Sequence, residues 1–230
     1  MSSQKQIVYF HGVPGSAEEC LLFDVSTSSA SHDIFVPDRS IAAATQSLDD
    51  HFNGLAQQIT KRFPEGQIDI IGFSLGAYIA CELSARLAGR IDRIDLISAG
   101  APLQWGDYLD KMAGKQVFKM ARDRPKAFKL LVRAQALMAK YLPGLFCKTL
   151  FASAQAGDAA LLSDEQFVQM MQRNMKRAFA DRGESYILEI TGYTGDWEPK
   201  VDPEQHRITL WHGVQDNWSP IAMARDLKAF

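Results

Sequence analysis

Ile68-Asp69-Ile70-Ile71-Gly72-Phe73-Ser74-Leu75-Gly76 is a stretch in which a strand-like pattern turns directly into a helix-like one. The apolar, β-branched residues before Ser74 predict a buried strand, and the spacing from residue 75 to about residue 87 predicts a helix. A serine in this position stands on a sharp turn, for which the two flanking glycines leave room. The helix N-terminus would place free N–H groups and a partial positive charge beside it. The pattern therefore predicts that Ser74 is a nucleophile; the alternative is a serine that merely caps the helix.

The rest of the chain alternates between the same two patterns. Further strands are predicted at residues 7–10, 33–36, 91–97 and 207–211, and further helices at residues 45–63 and 220–230. Strands separated by helices form βαβ units, whose strands run parallel and whose helices cover both faces of the sheet. The sequence therefore predicts the α/β class, with a mostly parallel sheet flanked by helices.

Residues 103–200 interrupt this alternation. Helical spacing is found around residues 117–138 and 164–179, and no β-rich run occurs before residues 185–190. A segment of this length is too long for a simple connection between neighbouring strands, and the carboxyl ends of parallel strands are where such sheets bind ligands. We therefore expect residues 103–200 to form a helical cap or lid, and residues 1–102 and 201–230 to form the core.

The predicted cap begins with a basic segment. Residues 103–150 contain ten basic and three acidic residues, so this segment has a net charge of +7 and the rest of the chain −9. The ordinary interpretation is a solvated helix face whose apolar residues, among them Phe128 and Leu137, turn inward. The alternatives are contact with an acidic ligand, with a carrier protein or with a membrane surface. Nucleic-acid binding is not expected, because no recognition module accompanies the basic residues.

Two other strand ends carry polar residues. His11-Gly12-Val13-Pro14-Gly15-Ser16 follows the first predicted strand, and His212-Gly213-Val214-Gln215-Asp216 follows the last. The carboxyl ends of parallel strands meet at one edge of a sheet, so Asp216 is expected beside Ser74, where a carboxylate can orient a histidine. Asp216 is therefore the predicted acid; the alternative is that it caps the last helix.

These three segments, in this order, resemble the α/β-hydrolase superfamily, in the branch whose nucleophile is a serine. The resemblance runs from the first strand to residue 230. It implies an α/β-hydrolase fold with Ser74 as nucleophile and Asp216 as acid, and it implies that the N–H groups of Val13 and Leu75 form the oxyanion hole. Relatives that open epoxides or cleave carbon–halogen bonds share the loop after the first strand, but they use an aspartate where this chain has Ser74.

The histidine that should accept the serine proton is missing from its expected place. The resemblance puts it after one more strand, about two to three dozen residues beyond the acid, but only 14 residues follow Asp216. His11 and His212 lie at the correct edge, yet each precedes a glycine in a turn and is expected to shape the loop. His32 and His206 are expected just before strands, at the opposite edge of the sheet, and His51 is expected within a helix. The last strand and final helix are therefore expected to be absent, either because the chain is cut short or because it is a natural variant without the base.

Composition limits the remaining possibilities. Three cysteines (Cys20, Cys81 and Cys147) are odd in number and widely spaced, which favours a reducing cytoplasm over a disulfide framework. No apolar run approaches the roughly 20 residues of a membrane span, and no secretory signal is visible. We expect a serine hydrolase of a small carbonyl substrate such as a carboxylic ester, acting through Ser74 without a metal or organic cofactor. Without its histidine this form should be nearly inactive; the alternative is a non-catalytic binding or scaffold protein.

Overall fold

Five parallel strands form the sheet in the part of the chain that the computed structural model describes, residues 4–22, 32–40, 47–87, 89–154 and 156–230. The strands are β1 (Lys5–Phe10), β2 (His32–Phe35), β3 (Ile68–Phe73), β4 (Ile91–Ile97) and β5 (Arg207–Trp211). Their order across the sheet is β2-β1-β3-β4-β5, and every neighbouring pair is parallel. The predicted α/β class and parallel sheet are confirmed.

The register of the sheet brings four strand ends to one edge. Phe10 pairs with Gly72, Gly72 pairs with Leu96, and Leu96 pairs with Leu210. The loops that follow β1, β3, β4 and β5 therefore emerge side by side. All the site residues predicted from the sequence lie in these loops or at their ends.

The described residues also form nine α-helices. They are α1 (Leu48–Arg62), α2 (Leu75–Ser84), α3 (Lys115–Asp123), α4 (Pro125–Tyr141), α5 (Pro143–Leu150), α6 (Ala156–Ala160), α7 (Glu165–Ala178), α8 (Glu184–Tyr193) and α9 (Ile221–Ala229). Helix α1 begins in a capping box, in which the Ser47 hydroxyl accepts from the Asp50 N–H and the Asp50 carboxylate accepts from the Ser47 N–H. Residues 45 and 46, where the sequence predicted this helix to begin, lie outside the described residues.

Two helix predictions and one β-rich prediction need correction. The single helix predicted around residues 117–138 is two helices, because Pro125 has no N–H to continue α3 and instead begins α4. Helix α2 ends at Ser84, three residues before the predicted end at 87. The β-rich residues 185–190 lie inside helix α8, where Tyr186 and Ile190 are buried at helical spacing.

The helices between β4 and β5 share their buried interior with the sheet. Phe128 of α4 and Met175 of α7 are fully buried, in one hydrophobic cluster with Val8 of β1 and Ile70 of β3. The expectation that Leu137 turns inward is wrong, since its side chain is 59% exposed. The boundaries predicted for core and cap stay a prediction. No helix in the described residues is both long and apolar enough to span a membrane.

Candidate active site

Ser74 sits on a strained turn between β3 and α2. Its backbone has φ 54° and ψ −121°, a conformation that residues other than glycine rarely adopt. The Ser74 N–H donates to the Ile97 carbonyl at 2.8 Å, which fixes the turn to the end of β4. The Ser74 side chain makes no capping hydrogen bond to α2. The turn is therefore built as the sequence predicted, and its hydroxyl is not used as a helix cap.

The two glycines of this turn are required by close backbone contacts. A Cβ at residue 76 would lie 2.1 Å from the Phe10 carbonyl oxygen and 2.7 Å from the His11 carbonyl oxygen. A Cβ at residue 72 would lie 2.8 Å from the Ala77 Cα. These distances are shorter than any carbon can tolerate, so glycine lets α2 begin directly against the end of β1.

Val13 and Leu75 line the same cavity as Ser74. Leu75 is the first residue of α2, so its N–H has no partner within the helix and points out of the helix N-terminus. Val13 follows Gly12, where an added Cβ would lie 3.5 Å from the Ser74 Cβ. The loop after β1 therefore passes directly over the serine turn, and the oxyanion hole predicted at Val13 and Leu75 stays a prediction.

A buried carboxylate, Glu19, accepts a hydrogen bond from the backbone of this loop. Glu19 accepts hydrogen bonds from the Gly12 N–H at 3.2 Å and from the Tyr9 hydroxyl at 2.6 Å. Burial raises the pKa of the Glu19 carboxyl, although these two hydrogen bonds and Arg39 oppose the shift. Sequence reasoning missed Glu19, because no pattern in the chain links residue 19 to residues 9 and 12.

A second buried network joins the loop after β1 to helix α8. Arg39 donates to the Glu189 carboxylate from Nε at 2.9 Å and from Nη2 at 2.6 Å, and its Nη1 donates to the His11 carbonyl. His51 Nε2 lies 2.9 Å from Glu189 Oε1. Burial and then the Arg39 guanidinium lower the pKa of His11 to about 3. Burial alone would raise the pKa of Glu189, but Arg39 and His51 outweigh it and lower the value to about 2. This network holds neutral His11 and charged Glu189 in fixed positions.

Asp216 lies beside Ser74 at the edge of the sheet, and both line one cavity. Its Oδ1 accepts from the Trp218 N–H at 2.8 Å and from the Ser219 N–H at 2.9 Å. Its Oδ2 lies 3.8 Å from His212 Nε2. Asp216 therefore shapes the turn that leads to α9. It does not cap that helix, because the N-cap residue is Pro220 and no side chain caps it, so the alternative interpretation of Asp216 as a helix cap is wrong.

In the described residues, no histidine lines either cavity that contains Ser74. His212 Nε2 is 2.6 Å from the Ser219 carbonyl oxygen, and the ring is buried. His11 is held by Arg39 and lines a different cavity. Both rings are engaged in loop structure, which agrees with the interpretation made from the sequence.

Two cavities meet at Ser74. One has a volume of about 260 Å³ and is lined mainly by apolar residues of the helical segment, including Phe118, Phe146 and Ile190. The other has a volume of about 330 Å³ and contains Asp216. Gln135 lines the first cavity, and its Oε1 is buried without a hydrogen-bond partner in the described residues. The same residues contain no group of three His, Cys, Asp or Glu side chains able to hold a metal ion.

Comparison with known proteins places the chain in a family. The model of the family described as the alpha/beta hydrolase fold matches residues 5–230. The chain therefore belongs to the α/β-hydrolase fold family. A search of curated proteins found no significant match.

Solved structures show the same fold at low sequence identity. An esterase from Thermogutta terrifontis is 16% identical with a TM-score of 0.65, over 97% of this chain and 78% of that chain. The enol-lactonase from Burkholderia xenovorans LB400 is 14% identical with a TM-score of 0.65, over 98% and 79%. An esterase from Exiguobacterium antarcticum is 16% identical with a TM-score of 0.58, over 99% and 80%. At these identities the likeness shows the fold alone.

Proposed function

We propose that the protein is a serine hydrolase of a small carbonyl substrate, such as a carboxylic ester, and that Ser74 forms an acyl-enzyme. The observation that carries this proposal is the place of Ser74, on a strained turn at the N-terminus of α2 and in contact with two cavities. Strain of this kind persists where the surrounding structure enforces it, and it is concentrated at functional sites. Two esterases and an enol-lactonase among the similar folds support ester chemistry.

The proposed reaction follows from the geometry. Ser74 Oγ attacks the carbonyl carbon, its proton passes to a base, and the carbonyl oxygen becomes an oxyanion that accepts from the Val13 and Leu75 N–H groups. The C–O bond to the alcohol then breaks, the alcohol leaves with a proton from the protonated base, and the acyl group stays on Ser74. Water, deprotonated by the same base, releases the acid and restores the serine.

The base is the part that the described residues do not supply within these cavities. We propose that Asp216 Oδ2 orients the base in the 330 Å³ cavity. Small molecules can then stand in for the missing side chain. Imidazole added to the buffer should raise the rate of ester hydrolysis by the wild-type chain, since it can enter the cavity beside Ser74.

Ser98 provides a matched control for Ser74. It also follows a strand, has a positive φ of 48°, and lines the 330 Å³ cavity, but no α-helix begins directly after it. Hydrolysis of p-nitrophenyl acetate with and without imidazole should fall to the buffer rate in Ser74→Ala and stay near wild type in Ser98→Ala. With imidazole present as the base, a fluorophosphonate should label wild type and Ser98→Ala but not Ser74→Ala. Equal rates in all three chains would refute Ser74 as the nucleophile.

Asp216→Asn separates the two roles of Asp216. Asparagine keeps the Oδ1 acceptor for the Trp218 and Ser219 N–H groups but loses the charge that would orient the imidazole. We expect the thermal stability to change little and the imidazole-supported rate to fall at least tenfold. An unchanged rate would mean that Asp216 only shapes the turn.

The cavity volumes favour a short substrate. Pockets for drug-sized ligands are typically about 300–1,000 Å³, so a cavity of about 260 Å³ suits a small acyl or alkyl group. Gln135 Oε1 would accept a hydrogen bond there, which favours a substrate with a hydroxyl or amine at that end. Activity on p-nitrophenyl esters should therefore fall as the acyl chain lengthens from acetate to decanoate.

A second candidate function is ligand binding without turnover. It is favoured by the absence of a histidine from the lining of both Ser74 cavities in the described residues. A binding protein would show neither fluorophosphonate labelling of Ser74 nor any response of the esterase rate to imidazole. Labelling at Ser74 would exclude it, because an unactivated serine does not react.

A further inference from the structure

The outer face of α4 combines exposed apolar side chains with unpaired lysines. Leu130, Leu137 and Tyr141 are each more than half exposed. Lys126, Lys129 and Lys140 lie on the same side of the helix, because residues spaced by three, four and seven positions share a face. These lysines form no ion pair within the described residues. The stripe is thus apolar and positively charged at once.

The same character continues beyond α4. Leu142 and Leu145 are each more than half exposed at the start of α5, and Lys148 follows on that helix. The sequence contains no acidic residue between Asp123 and Asp158. We define the cationic face as nine exposed residues on α4, on α5 and between these helices: Lys126, Lys129, Leu130, Leu137, Lys140, Tyr141, Leu142, Leu145 and Lys148.

A groove of about 570 Å³ borders this face, between α4 and the end of α7. Four cations line it: Arg133, Lys140, Lys176 and Arg182. Arg133 is paired with Glu184, whereas Lys140, Lys176 and Arg182 form no ion pair within the described residues. The groove therefore adds further positive charge next to the exposed leucines.

We propose that the cationic face docks the protein onto an anionic lipid surface. Leucine and tyrosine side chains would enter the region between the headgroups and the acyl chains, while the lysines reach outward to lipid phosphates. The charge of the face is complementary to such a surface, and each lysine near it contributes attraction. The proposal concerns binding and does not depend on hydrolysis at Ser74.

An acidic protein partner fits the face less well. Lysine is depleted in protein interfaces, and leucine is under-represented among the residues that dominate their binding energy. A partner that wraps around an amphipathic helix is excluded, because the opposite side of α4 is buried through Phe128, Val132 and Ala139. The face is basic and aliphatic, which is typical of a surface that lies on a membrane.

The test is co-sedimentation of the 230-residue chain with lipid vesicles. We expect binding to vesicles of phosphatidylcholine mixed with phosphatidylglycerol, little binding to phosphatidylcholine alone, and weaker binding as sodium chloride is raised. A variant with Lys126, Lys129, Lys140 and Lys148 all changed to glutamine should bind at least one hundredfold more weakly, at about fivefold for each lysine. Leu130→Ser combined with Leu137→Ser should also weaken binding, but without changing its dependence on salt.

The matched control removes two exposed lysines elsewhere, Lys61 on α1 and Lys228 on α9. Lys61→Gln with Lys228→Gln should bind mixed vesicles within a fewfold of wild type. Thermal melts of every variant should match wild type, because all the changed side chains are exposed. The proposal is overturned by absent binding to mixed vesicles, by equal binding to phosphatidylcholine alone, or by an equal loss in the control variant. Tight binding to polyglutamate without vesicle binding would also overturn it, in favour of an acidic protein.

Discussion

Replacing Glu189 with glutamine removes the negative charge at the centre of the buried network. In the folded protein Glu189 and Arg39 are 2% and 4% exposed, and two Arg39 nitrogens donate to the Glu189 carboxylate. His51, also 4% exposed, approaches the same carboxylate at 2.9 Å. Glutamine keeps the shape and one acceptor oxygen, but it leaves the Arg39 charge buried without a counter-charge.

Two arguments give the size of the effect. Breaking a buried ion pair by removing one charge costs about 3–5 kcal/mol. The pKa of Glu189, lowered from 4.5 to about 2, corresponds to about 3 kcal/mol in favour of the charged form. Because the folded pKa lies below the unfolded one, this contribution is complete above pH 4.5 and is lost as the pH falls through 2. We therefore expect Glu189→Gln to lower the free energy of unfolding at pH 7 by about 3 kcal/mol.

Glu184→Gln is the matched control, because Glu184 lies on the same helix α8 and also pairs with an arginine. That partner, Arg133, is 45% exposed, so the pair should contribute only about 0–1 kcal/mol. Urea unfolding at pH 7, followed by circular dichroism, measures both variants. A second series between pH 4.5 and pH 2 should show that wild type loses more stability than Glu189→Gln. If both variants lower the free energy of unfolding by less than about 1 kcal/mol, and by similar amounts, the buried network does not stabilise the protein as proposed.

Further predictions address the turn, the shared interior and the loop after β1. Gly76→Ala should disrupt the turn or lower the free energy of unfolding by at least about 3 kcal/mol, because the added Cβ would lie 2.1 Å from the Phe10 carbonyl oxygen. Gly54→Ala should instead raise the free energy of unfolding by about 1 kcal/mol, because Gly54 lies within α1 and an added Cβ there has no neighbour within 4 Å. Thermal melts compare the two, and an equal effect would contradict the steric argument. Phe128→Ala should cost about 3–5 kcal/mol in urea unfolding, since Phe128 is fully buried; a loss below about 1 kcal/mol would mean that α4 packs loosely. The stability of wild type should decline as the pH falls from 6.5 to about 3, because the unfolded chain protonates His11 first while its folded pKa is about 3. His11→Asn should reduce this decline, and an unchanged pH profile would show that His11 is not its source.

The sequence was most informative where one local pattern has one structural solution. The strand-turn-helix around Ser74 could be predicted because its pattern is local, with glycines at residues 72 and 76, where the structure leaves no room for a Cβ. The α/β class followed from the alternation of strands and helices in the same way. Asp216 at the sheet edge followed from the parallel order of the strands.

Other parts of the site depend on contacts that no local pattern encodes. Arg39 and Glu189 are far apart in the chain, and nothing near either residue indicates its partner. Helix α8 looked β-rich because Tyr186, Ile187 and Ile190 favour strands locally, but burial on one side of a helix decides their structure. The outward orientation of Leu137 was missed for a related reason, since an apolar residue in an amphipathic helix was assigned to the interior.

The aromatic contacts between α2 and the helices that follow β4 have a consequence for how this chain can change. Tyr78 of α2 packs against Tyr193 of α8 and against Trp197, with ring centroids 5.8 Å and 4.6 Å apart. Both surfaces of this contact must therefore change together. Exchanging residues 103–200 for the corresponding segment of another family member would leave Tyr78 facing an unmatched partner. A change in what the cavities bind should therefore arise by single substitutions in the cavity lining rather than by exchange of the whole segment.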